Sequence, residues 1–266
     1  MFSLGKNSFV LTRNAYKYNV LKTVFTQSGI PVPKILYAAK GLSQNIYDFI
    51  KRYAIPNKLD YFIMYEDDAW PCNDLSGLYN TLDILSNKNF KGVLSFGYVK
   101  IGFDPKTLIH DNECGCIYSD NYIRLGGSQA YLITSDCYNE VCDIMKNRKH
   151  IYPYNNMRYM KKIAPIFIDI TLSSCKNIYY TKESYFAQLD INKKKFFYIK
   201  NDFMKDGTKW FKTGRFGTSH IHHIKNIDML YNSIFKKFPE FNHELQFDKI
   251  NHKTFMDPIL INTSKL

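Results

Sequence analysis

Long apolar runs are missing from this 266-residue sequence, and acidic residues are scarce beside basic ones. No stretch approaches the roughly 18–20 consecutive apolar residues that a membrane span needs. The opening MFSLGKNSFVLTRN meets polar residues too early to form a signal-peptide core, so the expected setting is cytoplasmic. The six cysteines (Cys72, Cys114, Cys116, Cys137, Cys142, Cys175) contain no C-x-x-C pair, and Cys114 and Cys116 are too close for a zinc knuckle. Free, mostly buried thiols in a reducing compartment are expected. Internal repeats and low-complexity tracts are also absent. Against 36 Lys and Arg stand only 24 Asp and Glu, a formal charge of +12 and a pI of about 9.2. That basic field favours an anionic partner: nucleic acid, an acidic lipid surface or a phosphorylated small molecule.

What is present is enough apolar material, 45% of residues, for one large core or a core domain with an appendage. Strand-like and helix-like stretches alternate. Residues 8–11 form a short strand, and a helix runs to about Ser28 with Val20, Leu21, Val24 and Phe25 on one face. Gly29 is placed to end it, and Pro31 and Pro33 prevent continuation. A second strand is expected in KILYAAKG. Residues 44–55 make an amphipathic helix through Ile46, Phe49, Ile50 and Tyr53, stopped by Pro56. YFIMY is a third strand, too uniformly apolar for one-sided burial and therefore central. A helix capped by Asn73 or Asp74 turns Leu75, Leu78, Leu82 and Leu85 inward. Residues 92–103 form another strand, and 128–145 a strand followed by a helix that Ser135 or Asp136 caps. This alternation over the first 190 residues predicts a three-layer α/β domain with a mostly parallel central sheet. Residues 191–266 form a basic, less regular region.

The stretch DYFIMYEDDAWP raises a physical question, because Glu66, Asp67 and Asp68 follow directly on an apolar strand. Unpaired burial of three neighbouring carboxylates costs several kcal/mol or forces proton uptake. Either they sit in water at the strand exit, or something positive holds them. In open α/β sheets ligands bind beyond the carboxyl ends of strands, and two carboxylates one residue apart suit a hard divalent cation.

YFIMYEDDAWP resembles the acidic metal-binding motif of glycosyltransferases with the GT-A fold, and in particular that of glycosyltransferase family 25, the bacterial lipooligosaccharide galactosyltransferases. Three further stretches are similar to family segments and fall in family order: SFVLTRNAYKYNVLKTVFTQSGI (8–30), GGSQAYLITSDCYNEV (126–141) and PIFIDITLSSCKNIYYTKESYFAQ (165–188). Together they span about residues 8–190. The resemblance implies a UDP-sugar donor with galactose favoured, a Mn²⁺ or Mg²⁺ ion, inversion at the anomeric carbon, and a saccharide or lipid-linked saccharide acceptor, as in lipopolysaccharide biosynthesis. On that basis Asp68 is the expected direct metal ligand. Glu66 is second, reaching metal-bound water or the ribose, and Asp67 serves structure. The histidine cluster GTSHIHHIK offers a further ligand in His220 or His222; a solvated surface triplet explains it equally.

Inverting transfer needs a general base. Asp169, ending the apolar run PIFID, is the candidate, with a helix cap as its other role. Arg13 is expected at donor base or phosphate, or else in an exposed salt bridge. Gly126 and Gly127 would let backbone approach the sugar, or simply make a tight turn, and Gln129 or Ser128 would bond sugar hydroxyls. From 191 to 225, nine Lys or Arg stand against two Asp, with seven interleaved aromatics. The pattern suits the inner face of an anionic membrane, single-stranded nucleic acid, closure over the donor diphosphate, or plain solvation. The rival functional classes are a basic nucleic-acid-binding protein and a metal-dependent nuclease or phosphotransferase. The acid triplet argues against nucleic acid as a partner.

Overall fold

The computed structural model describes residues 1–13, 15–71, 74–100, 108–119, 125–147, 168–182, 184–188, 190–192 and 195–197. The chain begins with β1 (Ser8–Thr12), α1 (Ala15–Gln27), β2 (Lys34–Tyr37), α2 (Leu42–Phe49), β3 (Tyr61–Glu66) and β4 (Ala69–Pro71). It continues through α3 (Ser76–Asn87), β5 (Val93–Lys100), β6 (Ile109–Asp111), β7 (Cys116–Tyr118), β8 (Leu125–Thr134) and α4 (Tyr138–Asn147). Last come α5 (Ile168–Ser173), β9 (Ile178–Thr181), β10 (Phe186–Gln188), β11 (Asp190–Asn192) and β12 (Lys195–Phe197).

Eight strands form one sheet in the order β2-β1-β3-β8-β5-β9-β7-β6. β1 pairs parallel with both β2 and β3, and β5 with β9, while β8 lies antiparallel between β3 and β5. β7 is antiparallel to β9 and to β6, so six strands of the eight point one way. Two small antiparallel ribbons, β4–β10 and β11–β12, stand beside the sheet.

Alternation along the strands builds two cores, one on each face. Phe9, Leu11, Phe62, Met64, Tyr131 and Ile133 pack with α2, α4 and α5. Val10, Tyr61, Ile63, Tyr65, Ala130 and Leu132 pack with α1, α3 and β10. Tyr61 to Tyr65 are all buried, as a central strand covered on both faces requires. The fold is thus the expected three-layer α/β sandwich.

Local chemistry explains the element ends. Gly29 takes φ +69°, open to glycine without a Cβ penalty, and the Ile30 N–H donates to the Phe25 carbonyl at 2.9 Å, closing α1. Helix α2 runs on as a wider π-type turn, Ile50–Ala54, and Ile50 is buried there, whereas Tyr53 is 38% exposed and lies stacked on Phe49. At α3 the cap is shifted: the helix starts at Ser76, whose N–H and hydroxyl donate to the Asp74 carboxylate at 3.1 and 2.6 Å. Asn73 lies outside the described residues. Leu75, Leu78, Leu82 and Leu85 are all buried as expected. In place of a side-chain cap at Ser135 or Asp136, the chain enters α4 through one 3₁₀ turn, and Asp136 pairs with Lys91 at 3.3 Å. Cys114, Cys116, Cys137, Cys142 and Cys175 are free and buried. Among the described residues, no helix is long and apolar enough to cross a membrane.

Candidate functional site

The carboxyl ends of β1 and β3 lie side by side, with Leu11 opposite Glu66. The turn after β3 carries Asp67 and Asp68 and leads into β4, which β10 covers with Gln188 opposite Ala69. The segment ending in an aromatic before Gln is thus brought, in backbone, against the chain that follows the acids.

The three acids of the triplet are used differently. Both oxygens of Asp67 are engaged: Thr12 Oγ1 donates to Oδ2 at 2.6 Å, and Lys17 Nζ stands 3.7 Å from Oδ1. Asp67 therefore ties the turn to β1 and α1, the structural part expected for it. Glu66, partly buried, accepts a hydrogen bond from the Ser128 hydroxyl through Oε1. Burial above all, then the charge of Asp68, pushes the Glu66 carboxyl up to about 8; Asp169 and Asp67 add to the rise, and only the Ser128 hydrogen bond opposes it. Asp169, in the first turn of α5, comes from a hundred residues away to stand within electrostatic reach of Glu66. An acid there is also favoured by the helix dipole. Under the same carboxylate lies Tyr131, fully buried, whose phenol is held well above its usual range by burial and then by Glu66.

β8 delivers Ser128 through a break in its pairing with β5. Gly97 faces Ala130, yet Val99 faces Gly126, so residues 127–129 bulge. Strict alternation would put Ser128 on the face of Ala130 and Leu132; the bulge turns it to Glu66, which follows Phe62 and Met64 on the opposite face. Gly97 allows the close approach, because a Cβ there would lie 2.7 Å from the Ala130 nitrogen. Gly126 and Gly127 accordingly sit within strand β8 and not in a tight turn.

Of the other expected site residues, Gln129 is buried at 3% exposure within β8. Arg13 is exposed after β1, and its guanidinium donates to the Lys40 carbonyl, not to an acid. His220 and His222 lie outside the described residues, as does the basic stretch beyond Phe197. Thr12 and Lys17 were not foreseen; the partner of Thr12 is 55 residues distant in sequence.

The donor set fits a hard divalent cation. It is all oxygen, it lies partly desolvated, and Asp68, Asp169 and Asp67 add to the cost of ionising Glu66, which a cation would relieve. Among the described residues, no three His, Cys, Asp or Glu side chains form a closed metal group. An ion of the Mg²⁺ or Mn²⁺ type held by one or two carboxylates and completed by substrate phosphate and water does not require one.

No family model and no curated protein matches the chain. Solved structures resemble it at low identity. A197 from STIV is 10% identical with a TM-score of 0.40, covering 70% of this chain and 85% of that one. Mannose-1-phosphate geranyltransferase from Thermus thermophilus is 10% identical (TM-score 0.34, 67% of this chain, 59% of that one). A glycosyltransferase involved in the glycosylation of the major capsid of PBCV-1 is 11% identical (TM-score 0.32, 59% and 75%). Function is therefore read from the site itself.

Proposed function

We propose that the chain is a cation-dependent, inverting glycosyltransferase that moves a hexose, galactose favoured, from a UDP-sugar to a surface-glycan acceptor. The observation that supports this most is the acidic turn at the carboxyl end of a central strand, where Glu66, beside Asp68 and within electrostatic reach of Asp169, is destabilised as an anion. Perturbed carboxylates in such a place are characteristic of sites that bind or transform ligands.

In this reading Asp68 and Glu66 hold the ion, and Asp67 holds the turn. A bound divalent cation would supply charge neutralisation for the departing diphosphate. Asp169 accepts the proton of the acceptor hydroxyl as that oxygen bonds to the anomeric carbon and the bond to the nucleoside diphosphate breaks. Arg13, at the exposed end of β1, is offered to donor base or phosphate. His220 or His222 and the basic residues of 191–225 are assigned from sequence alone, to the ion and to acceptor or anionic lipid.

A third acid within electrostatic reach also suits a metal-dependent phosphotransferase or nuclease. Product analysis separates the two. Incubation with UDP-hexoses, Mn²⁺ and saccharide acceptors should release UDP and extend the acceptor, and chelation or Asp68→Asn should abolish both. Cleavage of nucleic acid, or release of UMP in place of UDP, would overturn the glycosyl-transfer reading.

A further inference from the structure

Strand β3 is flanked in the sheet by β1 and β8, and each neighbour sends one hydroxyl to the acids at its end. From β1, Thr12 Oγ1 donates to Asp67. From β8, the Ser128 hydroxyl donates to Glu66. Both hydroxyl residues are buried, at 1% and 5% exposure. Neither bond is part of the strand pairing, and Ser128 lies in the stretch 127–129 where the register of β8 against β5 shifts. Hydroxyls commonly bond backbone or water; here two are directed to adjacent carboxyl groups, Glu66 at the end of β3 and Asp67 in the turn that follows. A hydrogen bond donated to a carboxyl oxygen restricts that group to one orientation, and the bond strengthens when the group is ionised.

We infer that Thr12 and Ser128 are positioning residues, which lock the Glu66–Asp67–Asp68 turn from both sides so that its carboxylates are pre-oriented for a divalent cation and the diphosphate it carries. The inference rests on the cation-dependent reading above. Ser128 acts through Glu66, a proposed ligand, and Thr12 through Asp67, which fixes the turn between Glu66 and Asp68. Loss of a ligand's outer partner costs about 10–100-fold in metal affinity, the scale expected at Ser128; Thr12, one step further from the ion, should cost less.

The test is calorimetry of Mn²⁺ and of UDP with Mn²⁺ on the full chain, with thermal melting in chelator alongside. Thr12→Val keeps shape and removes the hydroxyl; Ser128→Ala does the same at the second position. Ser128→Ala should weaken cation-dependent UDP binding by about 10–100-fold and Thr12→Val by a smaller factor; both should leave UDP binding in chelator unchanged and shift the melting temperature little. Thr12→Ser, which restores the donor, should return affinity to within a few-fold of the parent. Ser128→Cys, near-isosteric with a weaker donor, replaces Ser128→Ala if that variant fails to fold. Parent-like cation affinity in the hydroxyl-free variants would overturn the inference and leave the cation-dependent reading standing. Failure of Thr12→Ser to rescue would overturn it too, because packing and not the hydroxyl would then matter. No cation-dependent UDP binding by the parent would remove both.

Discussion

Two groups of acids, one at the edge of the sheet and one near its centre, are treated in opposite ways. At the β6–β7 edge, Lys88 Nζ lies 2.6 Å from Glu113 Oε2 and 3.7 Å from Asp111 Oδ2. The Glu113 and Cys114 N–H groups donate to Asp111 Oδ1, and that backbone donation from Cys114 is the main reason its carboxyl stays below the usual range. At the end of β3 the balance is reversed. Glu66 is raised to about 8 by burial and by its acidic neighbours, and one hydroxyl opposes them. Charges that serve the fold are satisfied by it; acids that the fold crowds together and desolvates are, in the proposed reading, kept for a ligand.

The largest expected effect breaks the central group. Asp68→Ala should bring transfer to background while the far-UV spectrum and melting curve remain native-like, since the residue sits in a turn outside both cores. Near-parental turnover at saturating Mn²⁺ would show that Asp68 holds no ion. Asp169→Asn comes next. It removes the proton acceptor but keeps the size, so kcat should fall by about 10²–10⁴-fold while UDP affinity with Mn²⁺ stays within a few-fold. A loss of stability with parental kcat would instead make Asp169 a helix-terminus residue.

Third is the pH dependence of the cation-free protein. Between about 4.5 and about 8 native Glu66 keeps a proton that the unfolded chain releases. The native state then binds more protons, so stability falls as pH rises through that window, by on the order of a few kcal/mol. Denaturant melts in chelator at pH 5 and pH 8.5 measure the fall. Glu66→Gln should flatten it, and an unchanged slope in that variant would remove the conflict at Glu66. The smallest effect sharpens the comparison from the other side. Lys88→Met breaks exposed ion pairs, which are worth little, so both stability and turnover should barely change.

Much of this frame is readable in the residues. Five apolar residues followed by three acids specify a doubly covered strand and a polar exit, and the spacing of Leu75, Leu78, Leu82 and Leu85 specifies the buried stripe of α3. Gly29 before two prolines marks the end of α1 by backbone sterics alone. Other features depend on contacts too distant for a local pattern to encode. Nothing in the composition of residues 125–134 says that β8 inserts antiparallel between β3 and β5, because an apolar strand carries no mark of direction. Ser128 could be placed near a sugar from its neighbouring glycines, but its turn toward Glu66 arises from a pairing break that involves Gly97 and Ala130. Asp169 was legible as an acid after an apolar run; that α5 carries it to Glu66 is a property of the packed layers. Tyr53 fits the helical stripe by spacing, yet it lies at the rim, where the chain widens into a π-type turn.

The account stands most directly on one calorimetric comparison: UDP titrated into the parent chain and into Asp68→Asn, each with Mn²⁺ and with chelator. The parent should bind UDP several-fold or more tightly when Mn²⁺ is present, and Asp68→Asn should bind it weakly and equally in both conditions. Equal UDP affinity in all four titrations would contradict a cation-dependent nucleotide-sugar site at the end of β3.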